Sequence, residues 1–172
     1  MLFRSLKTLL SACAQVNKQR SGSLLIVGEV RQGEDKKAFD EFQLENPNLK
    51  IIVTGYVPHN DLPSYYPLMD VFVHPSLRDG MPNAVLEAMA CEKAVIATPV
   101  GGILDILEDG KNGVIVNVND ANMLAEKIVE LLDNSEKRES LGKHARELIV
   151  SRFTPDKELQ ANLEVYRKFK IS

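Results

Sequence analysis

Two cysteines and three histidines are all that this 172-residue chain holds of the side chains that most often grip transition metals. His59, His74 and His144 are scattered, and no pair of Cys or His stands at a metal-ligand spacing, so no metal is expected. Cys13 and Cys91 each lie in an apolar helical pattern. They read as buried free thiols rather than the halves of a disulfide, which fits a cytoplasmic location. No apolar run approaches the roughly 18 residues of a membrane span. The opening Met1-Leu-Phe-Arg-Ser-Leu-Lys7 lacks the long apolar stretch and small-residue cleavage site of a signal peptide. Positive charge is not in excess: 21 Lys and Arg stand against 24 Asp and Glu, and no basic stripe appears, which argues against nucleic acid as a partner. A G-x-G-x-x-G is missing too. The first glycine-flanked turn, Gly28-Glu-Val-Arg-Gln-Gly33, departs from it, so a nicotinamide site is unsupported.

What is present reads as one domain over 1–172, without repeat, low-complexity segment or linker. Leu2, Leu6, Leu9, Leu10, Cys13 and Val16 recur at helical spacing up to Gly22. Short apolar strands follow at Leu24–Gly28, Leu49–Gly55, Val71–His74, Lys93–Thr98 and Gly113–Asn117. Helices fall between them: residues 34–45, a short one capped by Asp61, one after Pro82, and one after Gly101-Gly102. The C-terminal third is helical, with caps expected at Asn119 or Asp120, at Ser135 and at Thr154. Alternating strands and helices predict an α/β fold, a Rossmann-like parallel sheet with helices on both faces plus C-terminal helices. Ligands of such sheets gather at the carboxyl ends of the strands.

One of those strand ends carries the candidate site. After Val71–His74 the chain reads Arg78-Asp-Gly-Met-Pro-Asn-Ala-Val-Leu-Glu-Ala-Met-Ala90. Gly80 frees the backbone, Pro82 suits a first helical turn, and Ala84 to Ala90 are good helix formers. The N–H groups of that turn attract phosphate. Asp79 stands just ahead of it and Glu87 about one turn inside, so two acceptors of sugar hydroxyls flank a phosphate-friendly helix start. A purely structural alternative exists: Asp79 as a cap and Glu87 as a partly exposed helix residue. Glu87, however, sits between Leu86 and Ala88 in an otherwise apolar helix, where a carboxylate needs a partner. Gly55-Tyr56-Val57 is a tight turn at a strand end, and Gly101-Gly102 is close packing or a donor contact.

Asp79 through Glu87 resembles the E-x7-E signature of retaining GT-B glycosyltransferases of group 1 (family 4-like), the nucleotide-sugar family that includes sucrose synthases and many bacterial polysaccharide enzymes. The flanks match in order: His74-Pro-Ser76 before it, Glu87 to Thr98 after it, then Gly101 to Asp105 and Asp109-Gly-Lys-Asn-Gly113. Departures are Asp79 for the usual first Glu, Glu92 for a common Gly, Ala94 for a common Pro, Asp105 for Glu, and Pro82 for a frequent Gly.

The resemblance implies the C-terminal, donor-binding lobe of an enzyme that moves a hexosyl group from a nucleotide sugar to an acceptor with retention, as in polysaccharide biosynthesis. Glu87 would accept the ribose hydroxyls and Asp79 those of the donor sugar. Gly80 and the amides of Met81, Asn83 and Ala84 would face sugar and phosphate, and Tyr56 and Val57 the base. The nucleotide sugar is a substrate, and no cofactor is implied. Arg4 stands at the position of the family's diphosphate-binding Lys, with Ser5 for the following Gly, and the family's preceding Gly-Arg strand and N-terminal acceptor lobe have no counterpart. The chain is therefore expected to turn over little or not at all by itself. It is also expected to self-associate, or to need its partner lobe, through a cut sheet edge near Leu2, Phe3 and Leu6. Two rival readings are a non-catalytic binding or interaction module and a nucleotide-sugar epimerase-like lobe.

Overall fold

The computed structural model describes residues 3–169, and side chains from Ser5 onward. Leu2 and the side chains of Phe3 and Arg4 lie outside the described set. The elements run α1 (Phe3–Asn17), β1 (Ser23–Ile26), α2 (Glu34–Glu45), β2 (Lys50–Val53), β3 (Val71–His74), α3 (Asn83–Ala90), β4 (Ala94–Ala97), α4 (Ile103–Ile106), β5 (Val114–Ile115), α5 (Ala121–Asp133), α6 (Ser135–Arg152) and α7 (Pro155–Phe169). Where a helix was expected after Asp61, two 3-10 turns occur instead, His59–Ser64 and Tyr66–Leu68. Pro63 and Pro67 lack the N–H groups an α-helix would use there.

The strands are parallel, but they form two sheets, not one. β1 pairs with β2, and β3-β4-β5 form the second set. Among the described strands β1 and β3 each pair on one side only, and both border the same cavity. β4, with a neighbour on both sides, is buried along its whole length; β1 and β3, each with one neighbour, are only half-buried.

β4 also divides the core, because successive side chains leave a strand on opposite faces. Ala94 and Ile96 join α1 (Ala12, Val16) and α5 (Leu124, Ile128, Leu131) on one side. Val95 and Ala97 join α3 (Val85, Met89) and α6 (Ala145, Ile149) on the other. Each large side chain fully buried here contributes about 1.5–3 kcal/mol. Helix ends follow local chemistry. Asp120 Oδ1 accepts the Met123 N–H at 2.8 Å to start α5, and Thr154 Oγ1 accepts the Lys157 N–H at 3.4 Å before α7. The α6 cap is Asn134, one residue before the expected Ser135, with Oδ1 accepting the Lys137 N–H at 2.9 Å. Glu92 has φ 58, in the left-handed region that glycine enters freely.

Candidate functional site

β3 ends at His74, and the chain reaches α3 through residues 75–82. Pro82 is not inside the first turn but precedes it. Its carbonyl accepts the N–H groups of Val85 at 3.0 Å and Leu86 at 3.3 Å. Asn83 and Ala84 thus carry the first N–H groups of α3, which have no acceptor within the helix. Met81 is exposed ahead of them.

The loop bearing Asp79 is fixed from two sides. His74 Nε2 lies 3.0 Å from Asp79 Oδ2, and Asp79 Oδ1 accepts the Gly80 N–H at 2.8 Å. Behind the loop lies the glycine pair. Gly102 donates its N–H to the Gly80 carbonyl at 2.7 Å. A Cβ on Gly101 would come within 2.1 Å of that carbonyl and 2.3 Å of the Asp79 carbonyl. Gly101-Gly102 therefore serves close packing of one strand-end loop against another, and sets where Asp79 to Met81 can sit.

Glu87 has the partner its apolar helix demands. The Tyr66 hydroxyl donates to Glu87 Oε2 at 2.6 Å. Burial first, and then the Glu87 carboxylate, push the Tyr66 phenol well above its ordinary value of 10.0, so it remains a donor through neutral pH. Tyr66 is itself buried, with its ring centroid 5.9 Å from that of Phe72. Glu87, Asn83 and Ala84 share a wall of a cavity of about 710 Å³ that also borders Tyr66, β1 and β3. That is roomy enough for a small ligand, whose usual pocket is about 300–1,000 Å³.

The predicted residues thus fall into three places. Asn83, Ala84 and Glu87 meet on the cavity wall. Asp79, Gly80 and Met81 form the adjoining loop. Tyr56 and Val57 sit apart, on the turn after β2, where Gly55 has φ 71 and bridges Gly28; Tyr56 is exposed. Arg4 belongs to α1, and its side chain lies outside the described residues. Two partners escaped sequence reasoning. His74 was visible as the flank of the motif but not as the residue that orients Asp79. Tyr66 stands 21 residues from Glu87 and gave no local signal. Among the described residues, no group of three or more His, Cys, Asp or Glu is arranged to hold a metal, and no helix is long and apolar enough to cross a membrane.

The sequence profile of the group 1 glycosyl transferases matches residues 4–148. The chain belongs to that family. It is 34% identical over 143 residues to the capsular polysaccharide biosynthesis glycosyltransferase CapM of Staphylococcus aureus, covering 81% of this chain and 36% of that protein. Among solved structures, sucrose-phosphate synthase of Thermosynechococcus elongatus superposes with a TM-score of 0.85 at 29% identity, over 100% of this chain and 44% of that one. Anabaena Alr3699/HepE, determined in complex with UDP and glucose, shares the fold, with a TM-score of 0.84 at 21% identity over 100% and 46% of the two chains. These neighbours are GT-B glycosyltransferases, and this group 1 chain matches their C-terminal portion. It spans only about a third to a half of their length.

Proposed function

We propose that this group 1 chain is the donor-binding lobe of a retaining hexosyltransferase, and that its ligand is a nucleotide sugar. The observation that carries the reading is Glu87: a half-buried carboxylate, anchored on one oxygen by Tyr66, on the cavity wall beside the first amides of α3. Helix N-termini suit phosphate, and a fixed carboxylate suits a vicinal diol. On this reading the ribose hydroxyls donate to Glu87, the diphosphate faces the Asn83 and Ala84 amides, and the donor sugar lies toward Asp79 and the Met81 amide. Tyr56 and Val57 border the base. The scheme calls on no metal, the phosphate charge being met by the first amides of α3.

The acceptor belongs to an N-terminal lobe, in keeping with the 36% of CapM that the chain covers. By itself the chain binds donor without transferring it. Its two free cysteines fit a reducing cytoplasm. Calorimetric titration with UDP, GDP and ADP and with their glucose and mannose conjugates tests the reading. Saturable binding of one nucleoside diphosphate, selective for its base, supports it. Absence of binding across the whole panel overturns it.

A further inference from the structure

The loop that carries Asp79 hangs from the turn after β4. Between His74 and Gly80 every second carbonyl is engaged. The His74 carbonyl accepts the Thr98 N–H at 3.3 Å, and the Ser76 carbonyl accepts the Thr98 hydroxyl at 2.5 Å. The Arg78 carbonyl accepts the Ser76 hydroxyl at 2.9 Å, and the Gly80 carbonyl accepts the Gly102 N–H at 2.7 Å. Three of these four donors belong to residues 98–102. Thr98 Oγ1 also stands 3.5 Å from the His74 carbonyl, but its one proton serves the nearer oxygen.

The two halves of the candidate site are thus held by different forces. α3 is anchored by packing: Val85, Ala88 and Met89 are each 0% exposed, and they fix Asn83, Ala84 and Glu87 with the helix. Arg78, Asp79 and Gly80 are exposed and have no such packing, so their position depends on the hydrogen bonds behind them. Thr98 is suited to that task. It is 1% exposed at the end of the buried β4, its β-branched side chain is stiff, and its own carbonyl accepts the Val100 N–H at 2.8 Å to close the turn.

The loop is fastened differently at its two ends. Gly101-Gly102 fits the far end by shape, where a Cβ would meet the Asp79 and Gly80 carbonyls. Thr98 fixes the near end by hydrogen bonding, and the Ser76 hydroxyl passes that constraint to Arg78, the neighbour of Asp79. His74, whose carbonyl Thr98 holds, also sets its ring Nε2 3.0 Å from Asp79 Oδ2. Removing the Thr98 hydroxyl leaves the Ser76 carbonyl without this donor and loosens the stretch that aims Asp79. It leaves the packing under α3 in place.

We propose that Thr98 is a positioning residue for the donor sugar: through Ser76 and His74 it holds Asp79 and the Met81 amide where the sugar meets them, and it has no part in holding the nucleoside diphosphate. The role rests on the donor-site reading above. It assigns recognition of the sugar to the turn after β4 and recognition of the diphosphate and ribose to α3.

The parent, Thr98→Val and Thr98→Ser are compared by calorimetric titration with UDP and UDP-glucose, or with GDP and GDP-mannose where the parent prefers that base, and by amide hydrogen exchange without ligand. Valine keeps the branched shape and loses the hydroxyl; serine keeps the hydroxyl. Thr98→Val is expected to weaken the nucleotide sugar by about 2- to 12-fold, the equivalent of one hydrogen bond, with the nucleoside diphosphate unchanged. Exchange at Gly80 and Gly102 should quicken, and Thr98→Ser should restore both properties. A general loss of stability would not split the two ligands in this way. Should Thr98→Val fail to fold, Ser76→Ala, at a half-buried position, is expected to give the same selective loss. Equal losses for diphosphate and conjugate overturn the role of Thr98 alone, as do unchanged affinities or unchanged exchange at Gly80 and Gly102. A parent that binds none of these ligands overturns the donor-site reading and this role with it.

Discussion

Replacing Glu87 with glutamine removes one charge and almost nothing else. The side chain keeps its length, and an amide oxygen remains for the Tyr66 hydroxyl now 2.6 Å from Oε2. What changes is the other position, where an NH2 replaces the carboxylate oxygen left for a ligand. A hydrogen bond to a charged group contributes about 1.5–3 kcal/mol. Glu87→Gln should therefore weaken nucleoside-diphosphate binding by about 10- to 150-fold in calorimetric titration. The urea midpoint serves as control. Because Tyr66 keeps an acceptor and Glu87 is only half-buried, unfolding should change by less than about 1 kcal/mol. An unchanged Kd in a folded variant would remove Glu87 from the ribose and with it the main support for the proposed site.

Asp79→Asn should lower affinity for the nucleotide sugar more than for the matching nucleoside diphosphate, because only the sugar reaches Asp79; equal losses in titration would contradict the assignment. Gly101→Ala places a methyl about 2.1 Å from the Gly80 carbonyl at a backbone φ of 56, so denaturant unfolding should show a loss of roughly 2–4 kcal/mol from strain and overpacking. A fall well under that range would show that the Asp79–Met81 loop yields easily. Glu130 sits between Lys127 and Lys137, whose hydrogen bonds hold its carboxyl below the ordinary value of 4.5. A depressed carboxyl stabilises the fold above its ordinary value and loses that contribution as acid carries the solution down through the folded one. Glu130→Gln should accordingly lower the melting temperature above pH 4.5 and converge with the parent in stronger acid, a small effect at this partly exposed site. Parallel curves across that range would refute it. The purified chain should transfer no sugar in a product assay with nucleotide-sugar donor and simple acceptors; robust transfer would show that the acceptor lobe is dispensable.

The strands were legible because their signals are local: Val71–His74 and the run around Ala94–Ala97 are short apolar blocks between turn residues, and both form where expected. The helix of residues 34–45 was bounded correctly for the same reason, by a glycine before it and Asn46-Pro47 after it. Helix starts slipped by a residue where two capping side chains adjoin, as with Asn134 and Ser135. The division of the strands into two sets was not legible, because strand order depends on long-range pairing that no local pattern carries. Likewise the carboxylate of Glu87 announced that it needed a partner, but only the fold could supply Tyr66. The closeness of Gly101-Gly102 to the Asp79 loop was one of two readings of a glycine pair, and the Cβ clearances favour packing.

The most direct test of the donor-site account is a backbone-amide NMR titration of the chain with UDP and with whichever nucleoside diphosphate binds best. Saturable shifts centred on Asn83, Ala84 and Glu87, extending to Asp79 and Gly80 only when the sugar conjugate replaces the nucleoside diphosphate, are the predicted result. Saturable shifts that leave the start of α3 untouched would contradict it.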